Sequence, residues 1–144
     1  LARIAGLFSR RGFNIDSLAV GETENPEFSR ITLVVTGEDT IIEQIVKQLY
    51  KLIDTYKLID LTKVNHVERE MVLVKVNVTT STRSEIIEVA NIFRAKIVDV
   101  GEKSMVIEIT GTQDKLEGFL TLLRKFGVIE MVRTGSIAIG RGTQ

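Results

Sequence analysis

Cysteine and tryptophan are absent from the 144 residues, and proline and histidine occur once each. Without cysteine the chain has neither a disulfide framework nor thiolate chemistry, and the single His66 cannot build a zinc site alone. The 19 basic and 19 acidic side chains cancel, whereas proteins that bind nucleic acid through its phosphates carry a basic surplus or a basic face. No apolar run approaches the roughly 18 residues of a membrane-spanning helix. We therefore expect neither nucleic acid nor a membrane as a partner.

The two halves of the chain repeat one pattern of hydrophobic residues. In each half, a helix with apolar residues at i, i+3, i+4 and i+7 precedes an apolar strand that carries an aspartate. A second strand ending on Thr-Gly follows, and then an amphipathic helix and a last strand. The predicted elements are a helix at 1–8, strands at 13–20 and 30–37, a helix at 42–52 and a strand at 56–64, and then strands at 71–78, 96–101, 104–111 and 128–135 with helices at 86–93 and 116–126.

The order of these elements predicts the fold. The second half reads βαββαβ, which is a ferredoxin-like unit, and the first half reads αββαβ. In the usual strand order 4-1-3-2 the missing opening strand is central, and a sheet without it exposes two rows of unpaired backbone groups. We therefore expect the natural protein to extend upstream by a strand and a loop. The fold class is α+β, with two ferredoxin-like domains at 1–65 and 70–144 joined by the short charged segment 65–70.

Aromatic side chains make up only 6% of the chain, which bears on RNA recognition. The order βαββαβ is also that of the RRM, a module that stacks RNA bases on aromatic residues of its third strand. The corresponding strands here, 30–37 and 104–111, contain no aromatic residue. The RNA interpretation is therefore disfavoured.

The carboxylates with catalytic potential are expected to be solvated. Paired carboxylates that perform acid–base chemistry need an enclosed pocket that separates their pKa values. The candidates fall at a strand entrance or at strand positions predicted to face solvent: Glu68, Glu70, Glu102 and Glu108.

Other polar candidates have equally plain interpretations. No histidine is placed to activate Ser84 or Ser136 as a nucleophile. His66 falls in the predicted linker, where a surface histidine is expected. The Gly-Arg-Gly stretch at 140–142 fits no phosphate-binding pattern and is interpreted as a flexible tail.

The segment Ser-Arg-Arg-Gly-Phe-Asn-Ile-Asp at 9–16 joins the first helix to the next strand. Arg10 and Arg11 suit the negative end of a helix dipole, and Gly12 suits a left-handed cap. Asn14 is not explained by packing: its amide can make a local turn bond or offer a donor and an acceptor to a ligand. The strand that follows lies at the sheet edge and is largely uncharged, so we expect it to pair with a second copy across a two-fold axis.

The chain resembles a known family over essentially its whole length. The segments that carry the resemblance are, in order, GLFSRRGFNIDSLAVGETENPEFSRITLVV, EQIVKQLYKLIDTYKL, HVEREMVLVKV, IFRAKIVDV and RTGSIAIGRG. They are similar to the small regulatory subunits of acetohydroxyacid synthase, also called acetolactate synthase. The resemblance implies an N-terminal ACT domain, here without its first strand, and a C-terminal ACT-like domain.

The resemblance also implies a function. Such a subunit is no enzyme itself: it binds the large catalytic subunit, raises its activity and confers feedback inhibition by a branched-chain amino acid, usually valine. Thiamine diphosphate, magnesium and FAD belong to the catalytic subunit, so no cofactor and no metal are expected in this chain. The location implied is the cytoplasm, or the plastid in a plant or alga. The alternative is a free-standing ACT-type amino-acid sensor that regulates another enzyme or a transcription factor.

The effector site implied by the resemblance lies between the ACT domains of a homodimer joined through its edge strands. By this match, Asn14 would hydrogen-bond the polar end of the amino acid across the interface. Leu1 and Ile15 would touch its aliphatic side chain, and Gly21 lies where feedback sensitivity is affected. The remaining half of the site, a loop after the first strand of the family's fold, is expected upstream of Leu1.

Overall fold

The computed structural model describes residues 14–52, 55 and 57–142. The helix predicted at 1–8, with Leu1 and the Gly12 cap, lies outside these residues. The elements are β1 (Ile15–Glu22), β2 (Ser29–Val35), α1 (Asp39–Tyr50), β3 (His66–Asn77), α2 (Arg83–Ile92), β4 (Lys96–Val100), β5 (Ser104–Gly111), α3 (Gln113–Leu123), a 3-10 turn (Arg124–Phe126), β6 (Val128–Arg133) and β7 (Ile137–Gly140). The chain divides into two compact units, one from Glu68 to Ile137 and the other formed by the residues before and after it.

The second unit is a ferredoxin-like βαββαβ fold. Its antiparallel sheet has the order β4-β5-β3-β6, which is the predicted order 4-1-3-2 read from the other edge. Val74 of β3 lies opposite Ile107 of β5 and Met131 of β6. Because side chains alternate between the faces of a strand, the even positions of β3 share one face. The predicted α+β class and strand order are confirmed here.

The helices of the second unit cover that face of the sheet. On α3, Leu116, Phe119 and Leu123 are fully buried at i, i+3 and i+7. The Phe119 ring meets that of Phe93 with centroids 5.3 Å apart. The N-cap of α3 is Thr112, whose side chain accepts a hydrogen bond from the Lys115 backbone. The buried core comprises Val72, Val74, Val76, Val78, Ile86, Ala90, Met105, Ile107, Ile109, Leu116, Phe119, Leu120 and Leu123.

The first unit has a smaller core among its described residues. Strands β1 and β2 form an antiparallel pair, and α1 packs on it through the buried Ile45 and Leu49. These two residues are four apart and therefore lie on one side of the helix. Partly buried neighbours complete the cluster: Ile15, Leu33, Val35, Ile41, Leu52 and Leu58.

The strand predicted at 56–64 is wrong for the part that the structure describes. Residues 57–64 form no strand, and the chain turns where the Val64 amide donates to the Leu61 carbonyl at 3.1 Å. In the order 4-1-3-2 the last strand of the unit pairs only with the first. No first strand occurs among the described residues of this unit. The segment 57–64 therefore has no neighbouring strand among them to hydrogen-bond with, although its apolar residues alternate.

Two segments expected to be irregular lie partly in strands. The charged segment 65–70 is not a linker, because β3 already begins at His66. The predicted tail is also ordered: β7 pairs with β3, and the Arg141 amide donates to the Asn65 carbonyl at 2.9 Å. Backbone pairing explains both results, since a hydrogen-bonded neighbour satisfies polar groups whatever the side-chain charge.

Candidate functional site

The described residues proposed for the effector site do not all lie together within one copy of the chain. Asn14 is exposed and immediately precedes β1. Ile15 begins that strand and is half-buried against the core cluster that contains Ile45. Gly21 lies six residues further along β1, opposite Arg30, which corresponds to about 20 Å at ~3.3 Å per residue. Within one copy, Asn14 and Gly21 therefore cannot contact the same small amino acid, and Leu1 lies outside the described residues.

The amide of Asn14 makes no local turn bond in the described part of the chain. Asn25 shows what such a bond looks like, because its Oδ1 accepts from the Glu27 amide at 3.1 Å. No described residue hydrogen-bonds the Asn14 side chain. A primary amide offers two donor hydrogens and an acceptor oxygen, so this side chain has the chemistry to bind both ends of a zwitterion.

Strand β1 has one bonded edge and one edge that no described residue covers. It pairs with β2 along its length, and the two strands alone form their sheet among the residues described. Leu18 and Val20 stay 36% and 49% exposed although they share a face with the packed Leu33. An edge strand that is largely uncharged and exposes apolar side chains is a site for pairing with another chain.

The beginning of β1 is irregular. Ile15 lies opposite Val35 and Ser17 lies opposite Val34, so Asp16 is an extra residue in the ladder. The Thr36 hydroxyl, just after β2, donates a hydrogen bond to the Asp16 carboxylate. This pair could not be predicted from the sequence, because nothing in a Thr-Gly strand end indicates which carboxylate the threonine hydroxyl contacts.

In the second unit, the prediction that Glu70 faces solvent is wrong. Its side chain is 4% exposed and lies 2.6 Å from the guanidinium of Arg133, which also contacts Glu117 at 3.0 Å. The hydrogen bond that the Arg133 guanidinium donates to the Glu70 carboxylate is the main cause that raises the pKa of Arg133, against the opposing effect of burial. Glu70 continues the even-numbered face of β3 that carries Val72, so it points at the helices rather than away from them.

This triad ties three elements together rather than forming an acid–base site. Glu70 lies on β3, Arg133 on β6 and Glu117 on α3. A buried carboxylate is stable when a guanidinium pairs with it and donates directed hydrogen bonds. We interpret the triad as a structural clamp at one end of the sheet.

The remaining polar candidates occupy structural positions. His66 begins β3, with its Nδ1 2.8 Å from the Val64 carbonyl oxygen. Ser136, in the segment that joins β6 to β7, is buried. No group of three or more metal-ligating side chains occurs in the described ranges. In those same ranges, no helix combines the length and apolarity needed to span a membrane.

Comparison with known proteins covers both units. A family model described as the small subunit of acetolactate synthase matches residues 69–142. A second model, the AHAS small subunit-like ACT domain, matches residues 1–57. The resemblance drawn from the sequence is therefore confirmed on both parts of the chain.

Individual relatives match along the whole chain. The probable acetolactate synthase small subunit of Archaeoglobus fulgidus is 51% identical over 144 residues, covering 100% of this chain and 90% of the relative. The acetolactate synthase small subunit of Mycolicibacterium smegmatis is 51% identical over 142 residues, covering 99% and 84%. The crystal structure of the acetolactate synthase small subunit from Thermotoga maritima matches with a TM-score of 0.88 and 46% identity, covering 99% of this chain and 89% of that one. The chain belongs to the acetolactate synthase small-subunit family.

Proposed function

We propose that this protein is a non-catalytic regulatory subunit of acetolactate synthase in branched-chain amino-acid biosynthesis. It binds the large catalytic subunit, raises its activity and makes it sensitive to inhibition by valine. The observation that carries the proposal is the match of both units to small subunits over the full length of the chain. Thiamine diphosphate, magnesium and FAD are assigned to the catalytic subunit, so the residues of this chain act by binding and by transmitting a signal.

The proposal includes a homodimer formed through β1. The edge of β1 that no described residue covers and the exposed Leu18 and Val20 support this pairing. Two copies related by a two-fold axis pair their β1 strands antiparallel, so a residue on one side of the axis lies opposite a residue from the other side in the second copy. With the axis near Leu18, Gly21 of one copy lies opposite Ile15 of the other. Pairing thus brings together two effector residues that one copy holds about 20 Å apart.

In this dimer, valine binds at the head of β1 between the copies. The Asn14 amide supplies hydrogen bonds to the charged ends of the amino acid, and Ile15 supplies an apolar contact for its side chain. Gly21, where an added Cβ would meet open space in the single chain, leaves room for the partner strand and the ligand. The resemblance also assigns Leu1 to the effector site, and this residue lies outside the described part of the chain.

A ligand shared by two copies is suited to feedback. It binds the dimer and not the separated copies, so it stabilises one arrangement of the two. If the catalytic subunit prefers a different arrangement, valine and activation oppose each other through one coupling free energy.

The test is reconstitution of the protein with its catalytic subunit, assayed with and without valine, leucine and isoleucine. We expect Asn14→Ala to abolish inhibition by valine while most of the activation remains, because the zwitterion loses its hydrogen-bond partner. Asn25→Ala is the matched control: it removes an exposed amide from the β1–β2 turn and should leave the inhibition curve unchanged.

Two outcomes would count against the proposal. Inhibition of the Asn14→Ala complex with unchanged valine affinity would remove Asn14 from the site. Failure of the wild-type chain to bind any thiamine-dependent synthase subunit, with valine still bound by the isolated dimer, would favour the free-standing sensor instead.

A further inference from the structure

The beginning of β1 contains a β-bulge. Asp16 has no opposite residue on β2, because Ile15 lies opposite Val35 and Ser17 opposite Val34. A bulge kinks its strand and changes the direction of the side chains beside it. This one lies two residues from Asn14, the residue assigned to the amino-acid effector.

The bulge determines which side of the strand Ile15 occupies. From Ser17 onward the alternation is regular: Leu18 lies opposite Leu33, on the face that packs against α1. Unbroken alternation would put Ile15 on the opposite face, with Ser17. Because of the extra residue, Ile15 lies on the α1 face of the strand beside Val35. The direction in which the preceding residue, Asn14, leaves the strand is reversed with it.

A side-chain hydrogen bond spans this bulge. The Thr36 hydroxyl donates to the carboxylate of Asp16, and Thr36 directly follows the last residue of β2. Hydrogen bonds to an ionised acceptor are stronger and more directional than neutral ones. Both side chains are exposed, so water would hydrogen-bond each of them if they separated. The bond therefore fixes the backbone conformation at the beginning of β1, and it is not needed to satisfy a buried polar group.

We propose that Asp16 and Thr36 are positioning residues for the effector site, because their bond holds the bulge that aims Asn14 at the ligand. The inference rests on the proposed function, since feedback inhibition is its readout. Neither residue touches the ligand: both act through the backbone of residues 14–17.

The test compares variants of Thr36 in the reconstituted complex. Thr36→Val keeps the shape of the side chain and removes the donor, so we expect the valine concentration for half-inhibition to rise roughly five- to tenfold. Thr36→Ser keeps the donor and should stay within about twofold of wild type on the same scale. Thr32→Val is the matched control, because it removes a threonine hydroxyl from β2, four residues before Thr36, without affecting Asp16.

Two further measurements separate positioning from a general loss of structure. In isotope-labelled protein, the nuclear Overhauser contact between Ile15 and Val35 should weaken in Thr36→Val and persist in Thr36→Ser. The double variant Asp16→Ala/Thr36→Val should be as sensitive to valine as each single variant. Each single substitution already removes the Asp16–Thr36 bond, so the second substitution adds no further loss.

The possible failures are distinguishable. A wild-type complex that no branched-chain amino acid inhibits would overturn the proposed function itself. A sensitive wild type with an equally sensitive Thr36→Val complex would overturn the positioning role alone. So would a Thr36→Val variant that loses sensitivity while the Ile15–Val35 contact persists, because the bulge would then not be the cause.

Discussion

The two units repeat one sequence pattern but differ in how many of their described apolar residues are buried. In the second unit, thirteen apolar residues are buried between a four-stranded path of the sheet and two helices. In the described part of the first unit, only Ile45 and Leu49 are buried, beneath a two-stranded sheet. Two-stranded sheets are marginal alone in water. The second unit therefore has the larger described core to stabilise it, whereas we expect the β1–β2 pair to be stabilised further by a strand or ligand that binds it.

The largest expected effect tests this contrast in the cores. Phe119→Ala removes a fully buried ring that packs on Phe93, and should lower the free energy of unfolding of the second unit by about 3–5 kcal/mol. Leu49→Ala in the first unit should cost less, about 2 kcal/mol, because its surroundings can collapse. Urea denaturation monitored in each unit measures both values. Equal costs would contradict the idea that the two cores differ.

A smaller effect is expected from the charged clamp of the second unit. Arg133→Ala leaves the carboxylate of Glu70 buried without its guanidinium, and should cost about 2–3 kcal/mol. The control Glu117→Gln removes the more exposed partner and should cost under about 1 kcal/mol. The double variant Glu70→Leu/Arg133→Ala should recover part of the loss, measured by the same denaturation curves. Full stability of Arg133→Ala would show that Glu70 is solvated after all.

The smallest effect compares a glycine from each unit. Gly127 has a φ of +90°, and a Cβ there would lie 2.6 Å from Nδ2 of Asn77. Gly127→Ala should therefore destabilise the second unit by about 1–2 kcal/mol. Gly21→Ala meets open space in the single chain and should change the stability of the isolated protein by under about 0.5 kcal/mol. Thermal unfolding in the absence of valine checks the pair, and the reverse ranking would refute it.

Much of the second unit could be predicted because its buried positions follow simple periods. The strand at 104–111 was predicted with the bounds of β5. The helical spacing of Leu116, Phe119 and Leu123 identified the buried side of α3. A charge pattern was less informative: Glu70 is hydrophilic, yet it continues an inward face because Arg133 lies beside it.

The candidate site could be predicted only in part. The unexplained amide of Asn14 and the edge position of its strand were visible in the sequence and in its resemblance to a family. The bulge at Asp16 was not, because it depends on how two strands pair across twenty residues and on the bond to Thr36. The strand predicted at 56–64 failed for a related reason, since alternation indicates a strand but cannot supply its partner.

The sequence by itself determined the repeat, the α+β class, the order of the second sheet and the family, because hydrophobic periods and motifs are local properties of the chain. Only the tertiary structure decided that β3 begins at His66, that β7 returns to pair with it, that Glu70 is buried against Arg133 and that Ile15 faces α1. Each of these depends on a contact between residues far apart in the sequence, and the free energy of such a contact belongs to the pair rather than to either segment.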